Sequence, residues 1–321
     1  MFHFEELSAA FADSFKVQHF PSRPASLYEP ADYFLGLGGK RIRPVLCLMG
    51  NELFGEIDPD AWHLAAAVEL FHNFTLIHDD IMDKAPLRRG MQTVHEKYGA
   101  STALLTGDVM LVVAYEYVSK MQPKNIRQVL QIFNQTAKQV CEGQQLDMDF
   151  ETTEKVGLDE YLSMIELKTS VLLAASMQMG AILGGAGLGN QQHLYNFGKT
   201  LGLAFQVQDD YLDCFGDPAK FGKQVGGDIV AGKKTFLLIR TLEVATEAQH
   251  RQIKELQHED AATKVAGMLQ LFKACGVDAW ARELKEKYMQ ASYLHLEDIA
   301  VLARRKEPLQ QLAAFLVQRE Y

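Results

Sequence analysis

Apolar residues recur every three or four positions over almost the whole chain, the spacing that gathers them on one face of an α-helix. Residues 5–19 carry this pattern first and stop before Pro21 and Pro24. A second helix is expected over 26–36, ending at the glycines of LGLGGKRIRP. A third starts beside Pro44, whose missing N–H is tolerated in a first helical turn. Asp58-Pro59 is a start signal, Asp as cap and Pro just inside, for a long helix running to about Asp83. Roughly 25 residues at 1.5 Å each span about 38 Å. The pattern continues over about 101–121, 124–151, 158–185, 190–215, 234–257, 260–275, 278–295 and 299–319. No alternating β-branched run with hairpin turns interrupts it, and no fixed repeat period runs through it, so the expected class is an all-α helical bundle. Breaks are short and no Ser/Gly linker occurs, so residues 1–321 are expected to form a single domain.

Composition narrows this picture. Of the 321 residues 48% are apolar, enough for a sizeable core. A net charge of −9 argues against a general nucleic-acid binder, which needs a basic surface. The cysteines, Cys47, Cys141, Cys214 and Cys275, are scattered without a CxxC pair, which suits free thiols in a reducing cytoplasm. The opening MFHFEELSAAFADSF lacks a basic start and apolar run, so a cytoplasmic location is expected. Val171 to Gly189 is uncharged and nearly long enough to cross a membrane. Ser176, Gln178 and five glycines fit a buried helix better, and no transmembrane segment is expected.

The candidate chemistry lies in two acidic clusters. In HNFTLIHDDIMDKAPLRR, Asp79 and Asp83 are one helical turn apart with Asp80 beside them, and His72 lies two turns back. QVQDDYLD repeats the spacing as Asp209, Asp210 and Asp213, with Gln206 one turn earlier. A single DDxxD is as readily a solvated helix end as a site. Both copies, however, sit near the C-terminal ends of apolar helices, where the dipole and like charges at i,i+4 disfavour them. Accepting that cost twice points to a compensating cation. Carboxylates without cysteine select a hard ion, Mg²⁺ before Zn²⁺, bound together with phosphate oxygens. Basic residues suited to phosphate follow: Arg88-Arg89, Lys40 and Arg43 in a glycine turn leading into a helix start, and Lys168-Thr169 in an apolar helix. GKQVGGDIVAGKKT is not a nucleotide P-loop, since Lys234 takes the Ser/Thr position and no strand precedes it. It is a glycine-rich loop able to bring Lys223 and Lys233 to a phosphate, with Asp228 orienting one of them.

GGKRIRP, DDIMD followed by LRRG, KTS, QVQDDYLD and GKQVGGDIVAGKKT, in this order over about residues 38–235, resemble the trans-isoprenyl diphosphate synthase (polyprenyl synthetase) family. The resemblance implies a helical bundle around a central cavity and a homodimer formed through the apolar helices around 101–140. It implies an allylic diphosphate held through three Mg²⁺ ions by Asp79, Asp83 and Asp209, with Arg88, Lys168, Thr169, Gln206, Lys223 and Lys233 assisting. Asp80, Asp210 and Asp213 complete the acidic surface. Lys40, Arg43, His72 and Arg89 match the positions for isopentenyl diphosphate. The reaction implied is ionisation to an allylic cation, attack by the isopentenyl double bond and loss of a proton. One departure is Gly227 before Asp228, where many relatives carry a lysine or another polar residue.

In this family the residues four and five before the first aspartate commonly form the floor of the product tunnel; here these are Thr75 and Phe74, with Phe71 one turn earlier. A bulky floor implies a short product, geranylgeranyl or farnesyl diphosphate. Two other classes compete. A class I terpene cyclase also ionises a diphosphate on DDxxD, but usually carries an Asn/Ser/Glu second motif. A non-catalytic regulatory subunit of a heteromeric synthase is disfavoured because both acidic motifs and Arg88-Arg89 are intact.

Overall fold

The computed structural model describes residues 1–216 and 225–318. It is built from α-helices: α1 (Phe4–Ser14), α2 (Ala25–Gly36), α3 (Ile42–Glu52), α4 (Pro59–Met82), α5 (Val94–Tyr98), α6 (Ala100–Ser119), α7 (Pro123–Thr152) and α8 (Leu158–Ile165). After α8 comes one π-helical turn (Glu166–Ser170), then α9 (Val171–Leu183), α10 (Leu188–Phe215), α11 (Gly227–Ala231), α12 (Phe236–Val244), α13 (Glu247–Leu256), α14 (Ala261–Ala274), α15 (Val277–Glu297) and α16 (Ala303–Gln318). A hairpin of β1 (Leu87–Arg88) and β2 (Met91–Gln92) follows α4 and is the only sheet among the described residues. The class is all-α.

The chain divides into two compact units. The first holds residues 1–135, 175–194 and 300–308; the second holds 136–174, 195–299 and the chain from Leu309. In the first, α4 packs against α3 and α6. Its start follows from local chemistry: Asp58 Oδ1 accepts from the amide of Asp60 at 2.8 Å, and Pro59 fills the first turn. Ala61, Leu64 to Phe71, Asn73, Phe74 and Ile77 are buried, so the helix is enclosed on most sides and ends at the acidic cluster. In the second unit, Tyr161, Met164 and Ile165 of α8 join Val207, Phe236, Leu237, Phe272 and Val277 in one core. Helix α12 packs against α8, α14 and α15 there.

Three differences from the sequence pattern have physical causes. The expected helix 5–19 stops at Ser14, and His19 folds back on its end, Nε2 donating to Phe15 O (2.9 Å) and Nδ1 meeting Tyr117 Oη (2.9 Å). The expected helix 234–257 breaks at Thr246, which caps α13 in a capping box with Gln249. Residues 84–98 form the hairpin and the short α5, which periodicity does not show. The apolar stretch from Val171 is a buried helix, and no helix of the described residues is long and apolar enough to cross a membrane.

Candidate active site

The first unit gathers the first acidic motif and its neighbouring cations. Helical register holds at the end of α4, where Asp83 N donates to Asp79 O at 2.8 Å, so the Asp79 and Asp83 carboxylates lie one turn apart on the same face. Asp80 instead points inward, is buried, and accepts from Arg88 Nε at 2.8 and 2.9 Å and from Nη2 at 2.8 Å. Lys84, with φ +50°, ends the helix, and Ala85 N closes back onto Asp80 O at 3.0 Å. The chain then enters the hairpin whose two-residue turn is Arg89-Gly90. Both have positive φ, +55° and +78°, the handedness such turns demand. Arginine adopts it only at a cost of order 1–3 kcal/mol. Its guanidinium lies against Gly39 and donates to Gly38 O, tying the hairpin to the glycine turn before α3.

Arg43 on α3 and His72 on α4 meet, Nη1 to Nε2 at 3.0 Å. Burial, with Arg43, Arg89, Arg88 and Arg41 nearby, holds the His72 imidazole well below its ordinary range, so it is neutral and accepts. Burial also pulls the Arg43 guanidinium down to about 10, against the opposing influence of Glu69 and Asp79. The Nε of Arg43 is buried without a hydrogen-bond partner among the described residues. An orphaned guanidinium donor beside a neutral histidine and a second arginine is able to donate to an anion. Lys40 lies exposed on the same glycine turn. Arg41, with φ +51° at the start of α3, pairs with the buried Glu69, which also accepts from Asn73 Nδ2 at 2.9 Å. Sequence reading missed this Arg41–Glu69–Asn73 support; the i,i+4 spacing of Glu69 and Asn73 was its visible trace.

The second unit brings Lys168, Thr169, Gln206, Asp210, Asp228 and Lys233 onto one cavity, with Asp147 and Tyr161 also in its wall. Lys168 and Thr169 stand on the π-helical turn. Two glycines let other helices approach it closely: a Cβ on Gly143 of α7 would sit 2.7 Å from Lys168 Cα, and one on Gly202 of α10 would sit 2.7 Å from the Ser170 side chain. The partner that a lysine in an apolar helix requires is Asp147, whose Oδ2 is 2.7 Å from Lys168 Nζ. Gln206 Nε2 donates to Asp210 Oδ1 at 2.9 Å, while its Oε1 faces Thr169 Oγ1 at 3.4 Å. Tyr161 Oη donates to Asp210 Oδ2. Burial first, and then Asp228, push the Asp210 carboxyl up to about 7, opposed by Tyr161, Gln206 and Lys233. Asp209 is half-buried on the same helix. Asp213 Oδ2 accepts from Asp228 N at 3.0 Å, and a Cβ on Gly227 would press its Oδ1 at 3.1 Å. The absent side chain at Gly227 thus leaves room for Asp213 to anchor the start of α11. Asp228 in turn accepts from the Lys233 amide through its carbonyl at 2.9 Å, which positions the lysine through backbone. Lys223 lies outside the described residues.

Within each unit the donors fit a hard cation. The first offers the carboxylates of Asp79 and Asp83 and the second those of Asp209 and Asp213, while the imidazoles nearest in sequence to the first motif are engaged elsewhere, His72 with Arg43 and His78 with Leu104 O at 3.1 Å. On α4, Phe71 and Phe74 rings lie 5.6 Å apart, and Phe71 also meets Phe133 of α7 at 5.3 Å. The Thr75 hydroxyl is turned to its own helix, donating to His72 O at 2.8 Å.

The sequence pattern of the polyprenyl synthetase family matches residues 24–274. The chain belongs to that family. It is 37% identical over 302 residues to the geranylgeranyl diphosphate synthase of Methanosarcina mazei, covering 94% of this chain and 92% of that one. A crystal structure of a geranylgeranyl pyrophosphate synthase superposes with a TM-score of 0.94 at 41% identity over 100% of both chains. The enzyme from Pyrococcus horikoshii Ot3 superposes at 0.92 with 34% identity, covering 98% of each. The trans-isoprenyl diphosphate synthase resemblance carried by the five motifs therefore holds over the whole chain, and the protein is a short-chain prenyltransferase.

Proposed function

We propose that this synthase condenses isopentenyl diphosphate with an allylic diphosphate, and that its main product is geranylgeranyl diphosphate. The observation that carries the reading is the Arg43–His72–Arg89 cluster with its orphaned Arg43 Nε. It supports an anion seat in the first unit in addition to the lysine-lined cavity of the second, and a two-diphosphate reaction needs both. A cyclase, which ionises one diphosphate, has no use for it.

In this mechanism Lys168, Thr169, Gln206 and Lys233 bind the allylic diphosphate in the second unit's cavity, and Arg88 and Lys223 are the further cations that the family's motifs assign to it. Asp79 and Asp83 of the first unit and Asp209 of the second would hold Mg²⁺, three ions in all, which when bound would supply positive charge that stabilises the leaving diphosphate. Arg43, Arg89 and Lys40 grip isopentenyl diphosphate, and neutral His72 keeps Arg43 aimed. The allylic C1–O bond breaks and its electron pair leaves with diphosphate. The isopentenyl double bond attacks C1, forming the new C–C bond, and the C2 proton passes to the departed diphosphate. Asp80, Asp210 and Asp213 shape the acidic surface from behind. Phe74, the most accessible ring of the Phe71–Phe74–Phe133 group, limits the growing chain.

On α6, Leu104, Leu105 and Val112 are exposed along one side, an apolar stripe that supports a homodimer. Four unpaired cysteines support a reducing, cytoplasmic setting.

The test is a mixed-substrate assay of the purified chain with Mg²⁺, isopentenyl diphosphate and dimethylallyl, geranyl or farnesyl diphosphate, followed by dephosphorylation and chromatography. A C20 alcohol is expected. Cyclic hydrocarbon without consumption of isopentenyl diphosphate establishes a cyclase, and activity only with a second protein establishes a regulatory subunit.

A further inference from the structure

Tyr161 carries no signal in any of the motifs, yet both its hydroxyl and its ring are engaged. It lies on α8, seven residues before Lys168, which stands on the π-helical turn that follows α8. Its ring is buried and leans on Phe236, centroids 6.2 Å apart, where α12 begins. Its hydroxyl donates to Asp210 Oδ2, and Gln206 Nε2 occupies Oδ1 at 2.9 Å. Both oxygens of a buried carboxylate are thus held, from two different helices, so Asp210 has one orientation.

That orientation is transmitted. An amide whose Nε2 is committed to Asp210 must present Oε1 on its other side, and there it faces Thr169 Oγ1 at 3.4 Å. A line of polar groups therefore runs Tyr161, Asp210, Gln206, Thr169, and ends on the π-helical turn beside Lys168. All of these groups lie in the wall of one cavity. Packing alone asks only for a ring at position 161. The hydroxyl matters because, without it, Asp210 keeps one donor and is free to turn, and the amide of Gln206 turns with it.

We propose that Tyr161 is a positioning residue for the allylic half-site: by fixing Asp210 and through it Gln206, it pre-orients Thr169 toward the leaving diphosphate. This rests on the reading that the second unit's cavity binds the allylic diphosphate. Removing groups that orient ligating residues typically costs 10–100-fold in metal affinity or activity.

The experiment compares the wild type, Tyr161→Phe, Asp210→Asn and the double variant. Wild-type turnover tests the functional reading by itself; the ratios test Tyr161. Tyr161→Phe is expected to lower kcat about 10–100-fold. It should raise the Mg²⁺ concentration for half-maximal rate several-fold and leave the KM for isopentenyl diphosphate within about twofold. In the Asp210→Asn background the same substitution should change kcat by less than about twofold, since its effect runs through that carboxylate. Three results overturn the proposal. One is a kcat for Tyr161→Phe within about twofold of wild type; another is an equal loss in both backgrounds. The third is a melting midpoint lowered by more than about 10 °C, which makes the hydroxyl structural.

Discussion

Arg88 closes on Asp80 with two of its nitrogens, Nε at 2.8 and 2.9 Å and Nη2 at 2.8 Å, and the carboxylate is 1% exposed on the side chain. The middle aspartate of each acidic motif is therefore buried and held by donors of its own unit, Asp80 by Arg88 and Asp210 by Tyr161 and Gln206. Removing one partner of a buried ion pair leaves an unpaired charge and costs roughly 3–5 kcal/mol, whereas replacing both is often near neutral. Arg88→Met should lie toward the lower end, since the arginine is partly exposed and water can reach it. Arg88→Met combined with Asp80→Asn should recover most of the lost stability in urea denaturation without recovering turnover. A double variant as unstable as the single one would show that Arg88 acts through packing.

Arg89 spends backbone strain to place a guanidinium. The two-residue turn it shares with Gly90 favours Asn-Gly, which relieves a cost of order 1–3 kcal/mol. Arg89→Asn should therefore keep the urea midpoint level or raise it, even though the bond to Gly38 O is lost. The KM for isopentenyl diphosphate should rise at least about tenfold, the loss expected of one charge-assisted contact. A destabilised variant with unchanged KM would place the arginine in the turn's own structure.

The neutral state of His72 predicts an acid limb of stability. Its folded pKa lies well below the unfolded value of 6.5, so at pH below 6.5 the unfolded chain takes up a proton that the folded chain refuses. The contribution is fully present above pH 6.5 and is lost as pH falls from there toward the folded pKa, at up to about 1.4 kcal/mol per pH unit. His72→Gln, which still accepts from Arg43, should flatten that limb in urea titrations between about pH 6.5 and 5. Equal slopes in the two proteins would mean that His72 is protonated in the fold.

Long helices were legible because their signals are local. The cap Asp58, Pro59 and the end at Met82 match the expected start and stop of α4 within about a residue. The hairpin was not, since two residues per strand leave no alternation to read. The π-helical turn was hidden for a different reason: the close approaches that surround it come through Gly143 and Gly202, about 25 or more positions away. The same holds for the site. Asp79, Asp83, Asp209, Lys168 and Arg43 stand out by type and spacing. Their supports, Asp147 for Lys168, Tyr161 for Asp210 and Glu69 for Arg41, are ordinary residues until the fold brings them within reach.

The aromatic group on α4 separates two roles that sequence left joined. Phe74 is 9% exposed, while Phe71 at 1% and Phe133 at 2% are enclosed, with Phe71 packed between the other two rings. A growing prenyl chain can meet only a ring it can reach, so Phe74→Ala should lengthen the product by at least one five-carbon unit at modest cost in stability. Phe71→Ala removes a ring wholly inside the packing and should cost about 3–5 kcal/mol, with little change in length while Phe74 stays in place. With both rings removed, the product should exceed that of Phe74→Ala alone, because the space behind it is then open. Chromatography of dephosphorylated products together with urea denaturation separates these outcomes. Longer product from Phe71→Ala with none from Phe74→Ala would reverse the assignment and make Phe71 the floor.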